Sequence, residues 1–261
     1  MFIRTNFGYE LLDELAEKHQ MEPRENMKIF IAGATGVLGR RLIQQFLTRG
    51  HSVVGLVRTP QGEQLVKSLG GESRISDLFD ADALARAAEG ANVVIHAATS
   101  IPNKRRLIPS DFEMNNRIRR EGTRALTVCA AKIGAQLYLQ QSIVWVAQPP
   151  DGSAFDEGSP TYPNSVTLSA LEGEAIAHEA GKRFGFNVSV LRCGWFYSAD
   201  SSYTRIMGEE LFRRRMPIIG RGGCDEGTSP HRRRGERICN CSRSKPNRTL
   251  ARSGRPSCDH G

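Results

Sequence analysis

Three glycines spaced three residues apart form the part of the chain whose residue types point most directly to a chemistry. Gly33, Gly36 and Gly39 stand between an apolar run at 28–32 and a stretch at 40–47 whose apolar residues have helical spacing. Gly33 permits a sharp turn, Gly36 a close approach to a diphosphate, and Gly39 close packing of the helix on its strand. Because the N–H groups and the positive dipole end of a helix attract anions, this strand, turn and helix predict a dinucleotide site. A βα turn without a ligand is the alternative.

The next predicted strand, at 51–57, ends at Arg58. A protein selective for NAD usually places an acidic residue there to bind the ribose hydroxyls, whereas an arginine suits the 2′-phosphate of NADP. The sequence therefore favours NADP over NAD. A solvated arginine at the end of a strand is the alternative.

Strands and helices alternate along the chain from residue 27 onward. The patterns predict strands at 28–32, 51–57, 74–76, 92–97, 137–146 and 186–191, and helices at 40–47, 61–69, 81–88, 111–133 and 168–184. Asp80 is placed to cap the third helix. This alternation predicts the α/β class, a Rossmann-type doubly wound parallel sheet with ligands beyond the carboxyl ends of its strands.

Composition separates the chain into three predicted segments. Residues 1–26 are interpreted as a leader outside the fold, and 27–221 as an NAD(P)-binding Rossmann domain. Residues 222–261 carry nine Lys or Arg against four Asp or Glu, which is +5 of the total net charge of +8, and contain two large aliphatic residues. Such a tail is predicted to be disordered, or to result from a frame shift in the gene near Gly222. Either interpretation leaves the C-terminal substrate lobe incomplete.

The same composition bears on partners and location. The positive charge lies mostly in the tail, which has no aromatic residues, so nucleic-acid binding is not expected. No apolar run reaches membrane-spanning length, and the six cysteines form no CxxC pair, so we expect a cytoplasmic protein with a small-molecule substrate. Single-residue spacers between the tail cysteines argue against a metal site. The oligomeric state is not predicted.

Eight motifs follow one another in a fixed order between residues 27 and 222. They are GATGVLG (33–39), Arg58, Asp77-Leu78, VIHAAT (94–99), NNRIRREGTRAL (115–126), QQSIVWV (140–146), LRCGWFY (191–197) and LFRRRMPIIGRG (211–222). In this order they resemble an extended or atypical short-chain dehydrogenase/reductase of the NAD(P)-dependent epimerase/dehydratase group. The resemblance implies diphosphate contacts from Gly33, Thr35, Gly36, Val37, Leu38 and Gly39. It also implies adenine contacts from Asp77 and Leu78, and contacts on the ribose and nicotinamide side from Ala97, Ala98 and Thr99.

The catalytic residues that the resemblance implies are only partly present. Ser142 corresponds to the hydroxyl that orients a substrate carbonyl or alcohol, with a buried strand serine bonded to the backbone as the alternative. The family also uses a tyrosine and, four residues later, a lysine on one face of the following helix. Val166 and Ala170 occupy those two positions. Tyr162 is the nearest phenol and is a catalytic candidate that could swing in from its loop, but because no lysine follows it at the required spacing we favour a loop aromatic.

Two function classes remain open from the sequence. The favoured one is an NAD(P)-binding protein with oxidoreductase-type chemistry on a small carbonyl, alcohol or sugar-nucleotide substrate. The alternative is a catalytically inactive NAD(P)-binding or sensor protein that lacks the tyrosine and lysine pair.

Overall fold

The computed structural model describes residues 26–102, 104 and 107–215. Within these ranges six strands form one sheet in which every neighbouring pair is parallel. The strands are β1 (Lys28–Ala32), β2 (Ser52–Val57), β3 (Glu72–Ile75), β4 (Val93–His96), β5 (Leu137–Ile143) and β6 (Asn187–Cys193). Their order is β3-β2-β1-β4-β5-β6. The direction of winding reverses between β1 and β4, so a crevice opens beyond the carboxyl ends of these two strands.

Helices connect the strands in the described part of the chain. They are α1 (Val37–Thr48), α2 (Pro60–Ser68), α3 (Ala81–Ala87), α4 (Glu113–Arg117), α5 (Thr123–Lys132), α6 (Leu168–Phe184) and α7 (Ser202–Phe212). A π-helical turn, Ile118–Gly122, joins α4 to α5, and 3-10 turns are formed by Pro109–Phe112 and Val144–Ala147.

Apolar residues cover both faces of the sheet. On one face the strands pack against α1 and α2 through side chains such as Leu42, Phe46 and Val66. On the other face they pack against α3, α5 and α6 through side chains such as Leu126 and Ala177. Successive residues of a strand alternate between the two clusters, so the sheet is buried on both sides. Because all six strands are parallel, their carboxyl ends lie at one edge of the sheet, called here the carboxyl edge.

The predicted doubly wound sheet is confirmed, and several elements have the expected bounds. Strand β1 and helix α6 match residue for residue, and Asp80 caps α3 by accepting the backbone N–H groups of Asp82 and Ala83, each at 3.0 Å. The long helix expected at 111–133 is present as one helical run from 109 to 132, made of a 3-10 turn, α4, the π-helical turn and α5. The fifth strand ends at Ile143 rather than at 146. Val144 and Val146 are buried in the following 3-10 turn, so the apolar run continues after the strand has ended.

Three expectations lie outside the described residues: the leader at 1–25, the tail at 222–261 and the incomplete substrate lobe. Helix α7, which the sequence patterns did not predict, extends the described chain past β6. No helix in the described ranges is both long enough and apolar enough to cross a membrane.

Candidate active site at the carboxyl edge

The glycine turn lies directly against the end of β4. Gly33 has a φ of +92°, and a Cβ added there would lie 2.5 Å from the backbone carbon of Ala97 and 2.6 Å from the backbone nitrogen of Ala98. A Cβ at Gly39 would overlap the Gly33 carbonyl oxygen and lie 2.8 Å from the Ala34 Cα. Both positions therefore require glycine, as the sequence predicted, and the turn is held between β4 and α1.

Helix α1 begins without a capping side chain. Its N-cap residue is Gly36, whose carbonyl accepts the Arg40 N–H at 3.1 Å, and its first turn contains no acidic residue. The predicted diphosphate contacts Val37 and Leu38 occupy that first turn. The N–H groups and the positive dipole end of α1 are consequently free of any side-chain acceptor at the mouth of the crevice.

Arg58 lies at the end of β2 and is exposed. It forms no hydrogen bond or ion pair with any residue that the structure describes. Thr59 next to it caps α2 by accepting the Gly62 N–H at 3.2 Å, and a Cβ on Gly62 would lie 3.3 Å from the Thr35 Cγ2. The glycine turn and the start of α2 thus meet at Thr35, and Arg58 immediately precedes the residue that caps this helix.

The remaining predicted cofactor contacts follow β3 and β4. Asp77 is exposed, and its Oδ1 accepts the Phe79 N–H at 3.0 Å, whereas Leu78 is buried and belongs to the core. Ala97 is buried, Ala98 is half-buried and Thr99 is exposed. These residues line the carboxyl edge on both sides of the glycine turn, and their individual contacts with a cofactor stay predictions.

His96, which the sequence analysis did not single out, fixes the end of β4. Its Nδ1 accepts the Ala98 N–H and its Nε2 donates to the Ile118 carbonyl, both at 3.3 Å. Burial lowers the pKa of His96 to about 4, so the ring is neutral near pH 7. The neutral ring connects β4 to the π-helical turn. In the sequence, the only sign of this role was that His96 stands at the end of the apolar run NVVIH.

Ser142 is buried at the end of β5 and does not face an open site. Its hydroxyl donates to the Glu174 Oε1 at 2.5 Å. The Glu174 carboxylate is also held by Arg192, through Nε at 3.1 Å and Nη2 at 2.7 Å, and this bond raises the pKa of Arg192. The hydroxyl of Ser142 thus bonds to a carboxylate, whereas the alternative to a catalytic role predicted a bond to the backbone. Ser142 has to leave Glu174 before it can donate to a substrate, so its predicted orienting role stays a prediction.

The positions of the expected tyrosine and lysine hold no titratable group. Val166 is exposed just before α6, and Ala170 is buried in the first turns of that helix. Tyr162 lies in the loop before α6, where its backbone N–H donates to the Val146 carbonyl at 2.7 Å and its ring is 41 % exposed. Its location agrees with the interpretation as a loop aromatic, and a catalytic role for it is untested.

A cation that the sequence analysis missed lies close to those two positions. Arg119 of the π-helical turn is 9 % exposed, and its Nη1 donates to the Val166 carbonyl at 3.3 Å and to the Ser169 Oγ at 3.2 Å. Ser169 in turn donates to the Asn116 Oδ1 at 2.7 Å. Burial lowers the pKa of Arg119 to about 10, so it remains charged. A lone arginine on a predicted helix is usually a solvated residue, which is why the pattern did not reveal it.

The two arginines that follow the glycine turn form ion pairs with the loop after β6. Arg40 and Arg41 both pair with Asp200, in the loop between β6 and α7, at 3.0 and 2.9 Å. Arg41 also donates to the Ser198 hydroxyl at 2.5 Å. These bonds lower the pKa of Asp200 well below its usual range. The loop after β6 is therefore connected to α1 across the carboxyl edge.

An aromatic array stands at the same edge. The rings of Trp145 and Trp195 meet edge to face with their centroids 5.1 Å apart, and Trp195 stacks on Tyr203 at 5.2 Å with 3° between the planes. Trp195 is 49 % exposed. Aromatic surface next to the crevice is suited to stacking with a ring of a small ligand.

Comparison with known proteins gives a family and several relatives. Residues 29–216 match the model of the NAD dependent epimerase/dehydratase family. The chain is 30 % identical over 194 residues to a 3-diazoavenalumate denitrifying reductase of Streptomyces sp, covering 71 % of this chain and 61 % of the reductase. It is 28 % identical over 218 residues to the L-arabinose 1-dehydrogenase (NAD(P)(+)) of Haloferax volcanii, covering 77 % and 80 %.

Solved structures show the same fold. The UDP-glucuronic acid 4-epimerase from Bacillus cereus, in complex with UDP-glucuronic acid and NAD, matches with a TM-score of 0.60 at 24 % identity, covering 71 % of this chain and 63 % of that one. A putative epimerase from Burkholderia cenocepacia matches with a TM-score of 0.58 at 22 % identity, covering 74 % and 63 %. The chain thus spans about three fifths of the length of these epimerases and of the Streptomyces reductase.

Proposed function

Since the chain belongs to the NAD dependent epimerase/dehydratase family, we propose that it binds a nicotinamide dinucleotide at the carboxyl edge and acts as an oxidoreductase on a small molecule. The observation that carries the proposal is the glycine turn. Gly33 and Gly39 leave no room for a Cβ, and helix α1 begins uncapped beside them. This is a turn built from closely packed backbone, and the N–H groups at the start of α1 are the donors that a diphosphate would use.

The residues around the turn fit the rest of such a cofactor. Gly33, Thr35, Gly36, Val37, Leu38 and Gly39 bind the diphosphate, Asp77 and Leu78 contact the adenine, and Ala97, Ala98 and Thr99 border the ribose and nicotinamide. The nicotinamide ring, when bound, supplies or accepts a hydride. His96 holds the end of β4 in place, and its imidazole ring is neutral, so it adds no charge to this part of the cofactor site.

We further propose that the cofactor is NADP. The observation that supports this is Arg58, an exposed arginine at the end of β2 that has no partner in the described chain. In this fold an arginine near that strand end can accommodate the 2′-phosphate of NADP, because a guanidinium binds phosphate through charge-assisted hydrogen bonds.

Titration of the full chain with NADPH and with NADH tests both parts of the proposal. We expect Arg58→Ala to weaken NADPH binding about tenfold or more, the equivalent of one charge-assisted hydrogen bond, and to leave NADH binding unchanged. Arg124→Ala, which removes an exposed arginine from α5, is the matched control and should change neither. Equal loss of both cofactors in Arg58→Ala would contradict NADP selectivity, and no binding of either by the wild type would contradict the function.

The relatives named as a reductase and a dehydrogenase support turnover over binding alone. The test has two arms. One follows oxidation of the reduced cofactor by panels of small carbonyl compounds, and the other follows reduction of the oxidised cofactor by alcohols and sugar nucleotides. Turnover of any panel member supports the oxidoreductase. Tight cofactor binding without turnover across all panels would favour the binding or sensor protein instead.

A further inference from the structure

Arg119 is a buried cation without a counter-ion among the described residues. Its neighbours on the same stretch are paired: Arg117 lies 2.7 Å from Glu121, and Arg120 is bonded to Glu172. Arg119 is 9 % exposed and has only the neutral acceptors Val166 and Ser169. Because a buried charge is costly unless an opposite charge compensates it, this guanidinium points to an anionic ligand.

The free edge of the guanidinium has the geometry for a carboxylate. Nη1 makes both protein contacts, so Nε and Nη2 form no bond with the described chain, and neither atom is fully enclosed. These two nitrogens share one edge of the planar group. Arg192 uses that same edge to hold the Glu174 carboxylate, at 3.1 and 2.7 Å. Arg119 therefore presents the same edge with which Arg192 holds a carboxylate, called here the clamp.

Arg119 is also held rigidly in place. The Thr123 hydroxyl donates to its carbonyl at 2.6 Å, and a Cβ on Gly173 would lie 2.8 Å from that oxygen, so α6 packs directly on the turn. The turn is π-helical, a deviation that often occurs at functional sites. The Arg119 side chain reaches Val166 and Ser169, which are at or next to the positions of the missing tyrosine and lysine, Val166 and Ala170.

We propose that Arg119 binds the carboxylate of an anionic substrate at the nicotinamide end of the crevice. The inference rests on the proposed function for placing that substrate beside the cofactor. The carboxylate supplies the negative charge that the buried guanidinium lacks, and the clamp orients the substrate from the side where the family pair is absent. The exposed Trp195 array at the same edge makes an aromatic acid a suitable probe.

Calorimetric titration of benzoate and of its neutral analogue benzamide into the full chain, with and without NADP⁺, tests the clamp. We expect benzoate to bind the wild type at least about tenfold more tightly than benzamide, the scale of a charge-assisted pair. Arg119→Met should lose at least about tenfold in benzoate affinity, and Arg119→Lys, which keeps the charge but not the fork, should lose less. Arg124→Met removes an exposed arginine from α5 and should behave as the wild type.

A thermal melt separates ligand binding from a structural role. Without ligand, Arg119→Met should melt no lower than the wild type, because an uncompensated buried charge has been removed. Overturning results are unchanged benzoate binding in Arg119→Met, benzamide binding as tight as benzoate, no benzoate binding by the wild type, or a lower melting temperature in Arg119→Met together with full benzoate affinity in Arg119→Lys. NADPH titration of the same samples judges the proposed function independently, since the clamp can fail while the cofactor still binds.

Discussion

Replacing Gly33 with alanine would strain the contact between the glycine turn and the end of β4. The φ of +92° is unfavourable for any residue with a Cβ, at about 1–2 kcal/mol. The new Cβ would lie 2.5 Å from the Ala97 carbonyl carbon, whereas carbon atoms normally meet at about 3.5–4.0 Å. Backbone on both sides has to move, and such overpacking costs about 1–3 kcal/mol more. We therefore expect Gly33→Ala to lose about 2–5 kcal/mol of unfolding free energy.

Urea unfolding followed by circular dichroism measures this loss, and a thermal melt should show a fall of at least about 4 °C, at about 2–4 °C per kcal/mol for this size. The same variant should bind NADPH more weakly, because the displaced turn no longer presents its N–H groups. Gly208→Ala is the matched control. Gly208 lies in α7, a Cβ there meets nothing within 4 Å, and alanine should stabilise the helix by about 0.5–1 kcal/mol.

The two substitutions should thus have opposite signs although both exchange glycine for alanine. Gly33→Ala with wild-type stability would show that the turn tolerates a Cβ, and unchanged NADPH affinity would show that its position does not matter for the cofactor. Either result would refute the reasoning.

Two further predictions concern buried polar groups. Glu174→Gln should destabilise the protein by about 2–4 kcal/mol in urea unfolding, because it removes the charge that compensates Arg192, whose side chain is about a quarter exposed. The control is Glu121→Gln at the exposed pair with Arg117, which should change stability by less than about 0.5 kcal/mol. Equal effects of the two substitutions would contradict the argument. His96 has a pKa lowered from 6.5 to about 4, so the unfolded state binds its proton more readily; the stability it contributes should be complete above about pH 6.5 and lost progressively towards pH 4, by up to about 3 kcal/mol. Unfolding measured at pH 7 and pH 5 checks this, since His96→Gln should reduce the difference between the two values, and an identical pH dependence would count against the assignment.

The sheet and the glycine turn could be predicted because their signals are local. Apolar periodicity marks each strand, and the spacing of Gly33, Gly36 and Gly39 has few structural meanings. Helix α6 was predicted to the residue because its pattern is uninterrupted over 17 positions and Gly185, in the left-handed region, ends it. The π-helical turn was missed because it changes the hydrogen-bond spacing inside a helical run, and apolar periodicity does not register that change.

The site partners could not be predicted because they lie far apart in sequence. Ser142 was identified by its motif, but its partner Glu174 stands 32 residues later and is set by how α6 packs on β5. Arg119 was passed over because its side-chain partner Ser169 lies 50 residues later, on α6. Sequence patterns specify which face of an element is buried, whereas pairing of individual polar groups follows from the packing of whole elements.

The link between Asp200 and the arginines of α1 joins the two halves of the sheet through charges of which Arg41 and Asp200 are exposed and Arg40 is partly buried. Attraction between exposed charges weakens as dissolved salt accumulates around them, over a screening length of about 8–10 Å at physiological ionic strength. The hold of the β6 loop on α1 is therefore a property of the buffer as well as of the chain. Rates and affinities measured for this protein are comparable only at one ionic strength.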